Sequence, residues 1–276
     1  AGCTFPDVAF GTIPYITDAR LLGHYFSSRE KLPFTDEQKR QVTGFVTLNT
    51  MSNVARQAGR ITPTEFCPSA LPLALRYDAQ KNPKGSRCDV YDHTVNVYGR
   101  DPQTGFARRP LDNVGIQYGL GALNSGAISK EQFLDLNEHI GGYDADAGFS
   151  PLRTTADLPA TRAAYRTGRL TNGGGGLKHT PIIDYRNYTD DRPNGDIHLR
   201  YHSFSMRERL IKANGDADNH VMLIEDDRFG FFKTTSPVVQ EALDDMERWL
   251  SRLVADTSAD SLAAKVRRDR PRDVTD

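Results

Sequence analysis

The sequence predicts an α/β fold in which a short parallel sheet is covered by helices. Two apolar runs bounded by turn residues, 181–185 (PIIDY) and 221–224 (VMLI), have the length and composition of buried strands. A helical stretch over about residues 197–213 separates them, and another helix follows the second run. This order of strand, helix, strand and helix is typical of a parallel sheet with helices packed on it.

Capping patterns mark the start of two helices in the first half of the chain. Thr35 with Gln38, and Ser129 with Gln132, have the Ser/Thr-x-x-Gln spacing of a capping box. The first pair precedes a helical pattern that continues to about residue 60. The second predicts a helix that stops at the glycine pair 141–142.

The C-terminal helix has the clearest periodicity. Ser236 followed by Pro237 is a typical helix start. Apolar residues recur behind it at helical spacing and predict a face packed on a core: Val239, Leu243, Met246, Trp249, Leu250 and Leu253. After residue 255 the pattern fades, so residues 256–276 are expected to form a loosely attached extended tail.

The middle of the chain is rich in loop residues. PQTGFARRPLDN, GGYDADAG and TNGGGG indicate long loops between short helices, which in an α/β chain are usually lids over a site. We therefore divide the chain into a mainly helical segment (1–59), a lid or cap insertion (60–175), a core of strands and helices (176–255) and the tail (256–276).

The charge pattern argues against nucleic acid and membranes as partners. Formal net charge is -1 and the basic residues are scattered, so the chain builds no field of the kind that polyanions require. No run approaches the roughly 18 apolar residues of a membrane span, and AGCTFPDVAF lacks the charged-then-apolar order of a signal peptide. A small-molecule or oligomeric substrate is expected instead.

Three cysteines are present. Cys67 and Cys88 bracket an irregular segment rich in Pro, Asn and Gly, which either a disulfide holds closed or two buried thiols flank. Cys3 is left over, which indicates a free thiol or a bond to another polypeptide.

Acids and histidines collect behind the first predicted strand. Asp190 and Asp191 follow it, and His198 stands near the start of the next helix with Asp196 as its expected N-cap. In an open α/β sheet, functional groups gather at the carboxyl ends of the strands. Asp190 and His198 are therefore our candidate acid and base of a Ser-His-Asp relay, with Asp191 as the alternative acid.

Other assignments stay open. His202 is the second candidate base, and Asp226 is a weaker candidate acid behind the second strand. His198 and His202 at i, i+4 would share a helix face and could with Asp190 hold a metal ion. His220 begins the second strand and is expected at the opposite edge of the sheet, in a structural role.

Blocks along nearly the whole chain resemble the carboxyl-terminal half of a family of large bacterial proteins. They include FARRPLDNVGIQYGLGALNSGAIS, QFLDLNEHIGGYD, GGGGLKHTPIIDYRNYTDD and DIHLRYHSFSMRERLIKANG. That family has an α/β-hydrolase-like fold and is distantly related to tannases, feruloyl esterases and hydroxybutyrate-oligomer hydrolases. The resemblance implies a partial α/β-hydrolase sheet, made of its last strands and helices, with a large lid.

The resemblance also implies a nucleophilic serine on a G-x-S-x-G elbow upstream of the first residues. GALNSGAIS is the nearest approach here, but no strand precedes its serine. We therefore expect the serine on a companion amino-terminal chain, with this chain supplying acid, base and lid to an esterase or amidase that uses no cofactor. A secreted or periplasmic location is expected from the family and the cysteines. The alternatives are a non-catalytic binding or assembly subunit and a metal-dependent hydrolase.

Overall fold

The computed structural model describes residues 5–27, 32–230 and 232–276. These form two compact units, each described here by itself. The helical unit comprises Ala1–Leu170 with Pro193–Ile197, and the sheet unit comprises Thr171–Arg192 with His198–Asp276. Cys3 lies outside the described residues, so its expected free or intermolecular thiol stays a prediction.

Most of the regular structure is helical. The helices are α1 (Phe5–Ser27), α2 (Asp36–Thr43), α3 (Leu48–Ala55), α4 (Val90–His93), α5 (Val95–Tyr98), α6 (Leu120–Asn124), α7 (Lys130–His139), α8 (Leu158–Arg166), α9 (Tyr201–Asn214), α10 (Pro237–Ala255) and α11 (Leu262–Arg268). The strands are β1 (Gly142–Tyr143), β2 (Phe149–Ser150), β3 (Ile182–Asn187) and β4 (His220–Glu225).

The core of the helical unit forms around α1. This helix packs on α3 and on the 3-10 turn Arg56–Ile61, and α5 packs on α8. Small residues let α8 approach closely, because its buried face is made of Ala160, Ala163 and Ala164. The antiparallel pair β1 and β2 is only two residues long, so helices and ordered loops carry this unit.

Both capping boxes are confirmed. The Thr35 hydroxyl accepts from the Gln38 amide, and the Ser129 hydroxyl accepts from the Gln132 amide. The helical pattern behind Thr35 is shorter than predicted, because Gly44 adopts a left-handed conformation (φ 71°) and ends α2. Helix α3 then restarts with its own cap, the Thr47 hydroxyl.

The predicted link between Cys67 and Cys88 is a disulfide, with Cα atoms 4.9 Å apart. Beside it lies Arg87, whose side chain is only 3% exposed. Its guanidinium lies over the rings of Tyr77 and Phe106, 4.4 and 4.1 Å from their centres, and the two rings meet edge to face. A chain segment almost without strands or long helices is thus held by one covalent bond and one buried cation.

The acidic GGYDADAG loop supplies the counter-charge to Arg87. Asp146 accepts a hydrogen bond from Arg87 Nη1 at 2.7 Å. Asp144 holds the turn, because its Oδ1 accepts from the amides of Asp146 and Gly148 at 2.8 Å each. Burial raises the pKa of Asp146, but the bonds from Arg87 and Tyr77 outweigh burial and bring the pKa below its usual value.

The strand–helix–strand order of the sheet unit is confirmed. β3 and β4 are parallel and in register from Ile182 opposite His220 to Asn187 opposite Glu225, and α9 connects them. The described residues thus form a mixed α/β structure, mostly helical with few short strands. A larger part of an α/β-hydrolase sheet is not observed among them.

The glycine run before β3 has a packing function. Gly173 has a positive φ of 80°, and a Cβ there would lie 2.2 Å from the Arg209 carbonyl oxygen of α9. Asn214 donates to the Gly173 carbonyl at 2.9 Å. Close backbone approach therefore requires glycine at this position.

The expectation of a loosely attached tail is wrong. Residues 262–268 form α11, and Val266 and Val274 are fully buried against Val221 and Trp249. The Trp249 indole donates to the Val266 carbonyl at 2.8 Å. The tail is polar on average, but its two valines lie at the positions that contact the core, so composition alone does not predict its packing.

The C-terminal helix begins as predicted, with the Ser236 hydroxyl as N-cap and Pro237 in its first turn. Its packing differs from the periodic pattern. Leu243 and Leu250 are 63% and 43% exposed, whereas Trp249 is fully buried. The two-stranded sheet covers only part of this helix, so the side chains of Leu243 and Leu250 lie open.

No helix within the described part of the chain is long and apolar enough to cross a bilayer. The disulfide is consistent with an extracytoplasmic location.

The disulfide should contribute measurably to stability. Replacing both Cys67 and Cys88 by Ser should lower the free energy of unfolding by about 3 kcal/mol, because the bridge closes a loop of 21 residues. Denaturant unfolding with and without reductant measures this. The double variant should show no response to reductant, and an equal loss on reduction in that variant would contradict the assignment.

Asp18 should make the stability of the helical unit depend on pH. Burial raises the pKa of Asp18 to about 6, although the Tyr118 hydroxyl donates to it at 2.6 Å. Because the pKa of Asp18 is higher in the folded than in the unfolded chain, the carboxyl contributes its full stabilisation at a pH below its unfolded pKa. That stabilisation is lost as the pH rises through about 6. Asp18→Asn should remove this dependence and be more stable than the parent at pH 8, by up to about 3 kcal/mol. Urea unfolding at pH 4 and pH 8 checks this, and equal slopes with pH in the two proteins would contradict it.

Candidate functional site

The carboxyl edge of the two-stranded sheet gathers the predicted site residues. β3 and β4 are parallel and end opposite each other at Asn187 and Glu225, so the loops behind both strands start at the same edge. The Tyr188 amide donates to the Glu225 carbonyl at 2.7 Å and extends the pairing by one step. The segment Thr189–Arg192 and the turn after Glu225 therefore begin side by side.

Asp190, the predicted acid, is buried and bonded to Arg200. Its Oδ1 accepts from the Arg200 amide at 3.0 Å, and its Oδ2 accepts from Arg200 Nε at 2.8 Å. The Arg200 guanidinium also lies over the Tyr188 ring, 4.6 Å from its centre. Both carboxylate oxygens thus hold the residue that directly precedes α9.

His198, the predicted base, is exposed and lies just before α9. Its backbone carbonyl accepts from the Thr189 hydroxyl at 3.3 Å. Two links therefore tie the loop behind β3 to the segment His198–Arg200: Thr189 to the His198 carbonyl, and Asp190 to Arg200. The structure brings Asp190 and His198 to one edge through these links, and their direct pairing stays a prediction.

Helix α9 begins later than the sequence predicts. Arg200 occupies the N-cap position, without a side-chain cap, so the prediction of Asp196 as the cap is wrong. His202 lies in the first turn, with its ring 4.4 Å from that of Tyr201. Because His198 precedes the helix, the two histidines do not share a helical face as the metal hypothesis required. Among the described residues, no group of three or more His, Cys, Asp or Glu side chains is placed to hold a metal ion.

The alternative acids have different places. Asp191 is exposed in the same loop. Asp226 accepts from the Arg228 amide at 2.9 Å and caps the 3-10 turn behind β4. Its neighbour Asp227 takes part in a two-pronged ion pair with Arg192, whose Nε donates at 2.7 Å. This pair joins the loop behind β3 to the turn behind β4.

Sequence analysis did not identify Glu225 at this edge. It is 2% exposed, and accepts from the Tyr185 hydroxyl at 2.7 Å, from the Ser236 hydroxyl and from the Val238 amide at 3.5 Å. Burial raises the pKa of Glu225, but the two hydroxyl donors outweigh burial and lower the pKa overall. The carboxylate thus anchors the start of α10. The sequence signal that could have identified Glu225 is an acid at the end of a strand, followed shortly by a Ser-Pro helix start.

The opposite edge carries a second polar cluster, again unrecognised as a unit from sequence. His220 is buried at the start of β4, as expected for a structural residue. Its Nδ1 accepts from Arg207 Nε at 3.2 Å, and its Nε2 faces Asp184 Oδ2 at 3.6 Å. Arg207 also holds the C-terminal Asp276, which lowers the pKa of that carboxyl to about 2. This cluster fixes the tail to the sheet.

No curated protein and no solved structure matches the chain significantly. Residues 1–276 match a family described as a tannase-like family of unknown function (DUF6351). The likeness to tannases suggests a relationship to hydrolases, which agrees with a βαβ unit that carries acids and a histidine at its carboxyl edge. The chain belongs to this tannase-like family.

Proposed function

We propose that the chain is the acid-, base- and lid-bearing part of a serine hydrolase that cleaves an ester or amide by acyl transfer to water. β3, α9, β4 and α10 are then the last strands and helices of an α/β-hydrolase core, and residues 60–175 form the lid. Family membership supports a hydrolase. The order and parallel pairing of these elements support their position in the core.

One observation carries the assignment of the site. The loop behind β3 is bonded both to the His198 carbonyl, through Thr189, and to Arg200, through Asp190. The backbone of His198 is therefore bonded to the loop behind β3, and the residue is exposed. A general base needs this combination of a fixed backbone and access to the reacting proton.

In the proposed reaction a serine on a companion amino-terminal segment attacks the substrate carbonyl. His198 takes the serine proton and later gives it to the leaving group, so that an acyl-enzyme forms and is then hydrolysed. Asp190 positions His198 through the Arg200 amide. We favour a small-molecule or oligomeric ester over an amide as the substrate, because the family is tannase-like.

A binding or assembly subunit without catalysis is the second candidate. The observation that favours it is the complete engagement of Asp190 by Arg200, since a carboxylate with both oxygens on a guanidinium and an amide also fits a purely structural ion pair. In either case a secreted or periplasmic location is proposed, supported by the disulfide.

Labelling of natively purified material with a fluorophosphonate tests the hydrolase. We expect a companion chain to co-purify with the 30.7 kDa chain and to take the label, because the proposed nucleophile is on the companion. Intact-mass analysis under non-denaturing and denaturing conditions reads out both. A solitary and unlabelled chain would eliminate the proposed chemistry and favour the binding subunit.

Substitution of the base tests the site in the assembled protein. His198→Ala should reduce turnover of a p-nitrophenyl ester by about 10²–10⁴-fold, the usual contribution of a general base. His179→Ala is the matched control, since His179 is also exposed but precedes β3, at the opposite edge. Asp190→Asn should reduce turnover while substrate binding changes little, because it loosens the position of His198. Unchanged turnover in His198→Ala would transfer the role to His202 or to the companion chain.

A further inference from the structure

Part of the loop between the proposed acid and the proposed base belongs to the helical unit. Asp190 and His198 lie in the sheet unit, whereas Pro193–Ile197, which stands between them in sequence, is part of the helical unit. We call Pro193–Ile197 the connecting segment. Because His198 directly follows it, any contact that fixes the connecting segment also limits the positions that the backbone of the base can take.

Two asparagines of α3 hold the connecting segment by its backbone. The Asn49 side-chain amide donates to the Pro193 carbonyl at 2.5 Å. The Asn53 side-chain amide donates to the carbonyls of Asn194 and Gly195, at 3.1 Å each. Residues four apart lie on the same face of a helix, so both asparagines act from one face of α3. Successive carbonyls of the segment are thus bonded to a single helical face.

Close packing of the two backbones accompanies these hydrogen bonds. Gly195 has a positive φ of 71°, and a Cβ there would lie 2.4 Å from the Thr50 Cα of α3. Glycine is therefore required for this approach. Ile197, the residue before the base, is partly buried and packs against the core of the helical unit. The segment is thus held by side-chain donors, by backbone contact and by its last apolar side chain.

Helix α3 is itself a firm support for the segment. The Thr47 hydroxyl caps its start, and Thr50 and Val54 are fully buried. Val54 belongs to the main core of the helical unit, where α3 packs on α1. The helix cannot shift without disturbing this core, so the asparagines hold the segment at a fixed place in the helical unit.

We infer that Asn49 and Asn53 are positioning residues for His198, which act on the base through the backbone of the connecting segment. The inference rests on the proposed function, in which His198 is the general base, and adds to it a part for α3. Thr189 bonds the His198 carbonyl, so the chain is held both before the base and at the base. A displacement of about 1 Å at a reacting group can lower turnover about 10²-fold, so a base in a loop needs such supports.

Kinetics of the assembled protein with a p-nitrophenyl ester test the inference. Asn53→Asp keeps the size of the side chain but replaces its donated hydrogen bonds by repulsion between a carboxylate and carbonyl oxygens. It should lower kcat by about 10–100-fold and change KM by less than about twofold, because Asn53 acts on the base and not on the substrate. The rate of fluorophosphonate labelling should fall with kcat, since both depend on activation of the serine. Asn53→Gln keeps the donor and should recover most of the loss.

Ser52→Asp is the matched control. It adds the same charge at an exposed position of the same helix and should leave kcat unchanged. Gly195→Ala tests the contact from the other side, and it should lower kcat because the new Cβ would collide with α3. Thermal unfolding shows whether each variant is folded. If Gly195→Ala does not fold, Asn53→Asp and Asn49→Ala decide the result.

Hydrogen exchange of the same proteins reports on the connecting segment without relying on activity. Amides of residues 193–200 should exchange about tenfold faster in Asn53→Asp than in the parent and in Ser52→Asp. Unchanged exchange, or a kcat equal to that of the parent or of Ser52→Asp, would overturn the inference. Loss of turnover in His198→Ala would still uphold the hydrolase in that case. A parent without turnover would refute the hydrolase itself, and with it the positioning role.

Discussion

A buried guanidinium organises the helical unit. Arg87 is buried against two aromatic rings, and a cation in such a place is tolerated only when carboxylates neutralise it. Asp146 reaches it from the acidic loop, and Asp89 and Asp92 reach it from the cap and first turn of α4. Segments that are far apart in the sequence and poor in regular structure are thus fixed on a single side chain. The disulfide next to it limits the freedom of the same segment in the unfolded chain.

The ion cluster around Arg87 also fixes the short helix α4. Asp89 caps α4 with Oδ1 and faces Arg87 with Oδ2, so one side chain serves both the helix start and the ion cluster. Asp92 lies in the first turn of the same helix, where Arg100 donates to one of its oxygens and Arg87 forms an ion pair with the other.

In the sheet unit, arginine side chains rather than strands connect the loops. Arg200 holds Asp190, Arg192 holds Asp227, and Arg207 holds both His220 and the C-terminal Asp276. Such charge-assisted and often two-pronged bonds can fix a short two-stranded sheet that has little hydrophobic cover. The proposed base lies beside one of these connections, so its position depends on an ion pair that also stabilises the fold.

The sequence by itself determined the local features of this protein. Capping boxes at Thr35 and Ser129, the Ser236 helix start and the two parallel strands follow from hydrogen bonding and periodicity between residues close in the chain. It also identified the carboxyl edge of the sheet, where the loop that carries Asp190 begins, because parallel strands end on the same side. Only the tertiary structure decided the partners that are distant in sequence. Arg200 pairs with Asp190, Glu225 bonds to the start of α10, and the tail packs on the core around Trp249. Those choices depend on side chains that are distant in sequence and on the competition of many acids for many arginines, which no local pattern encodes.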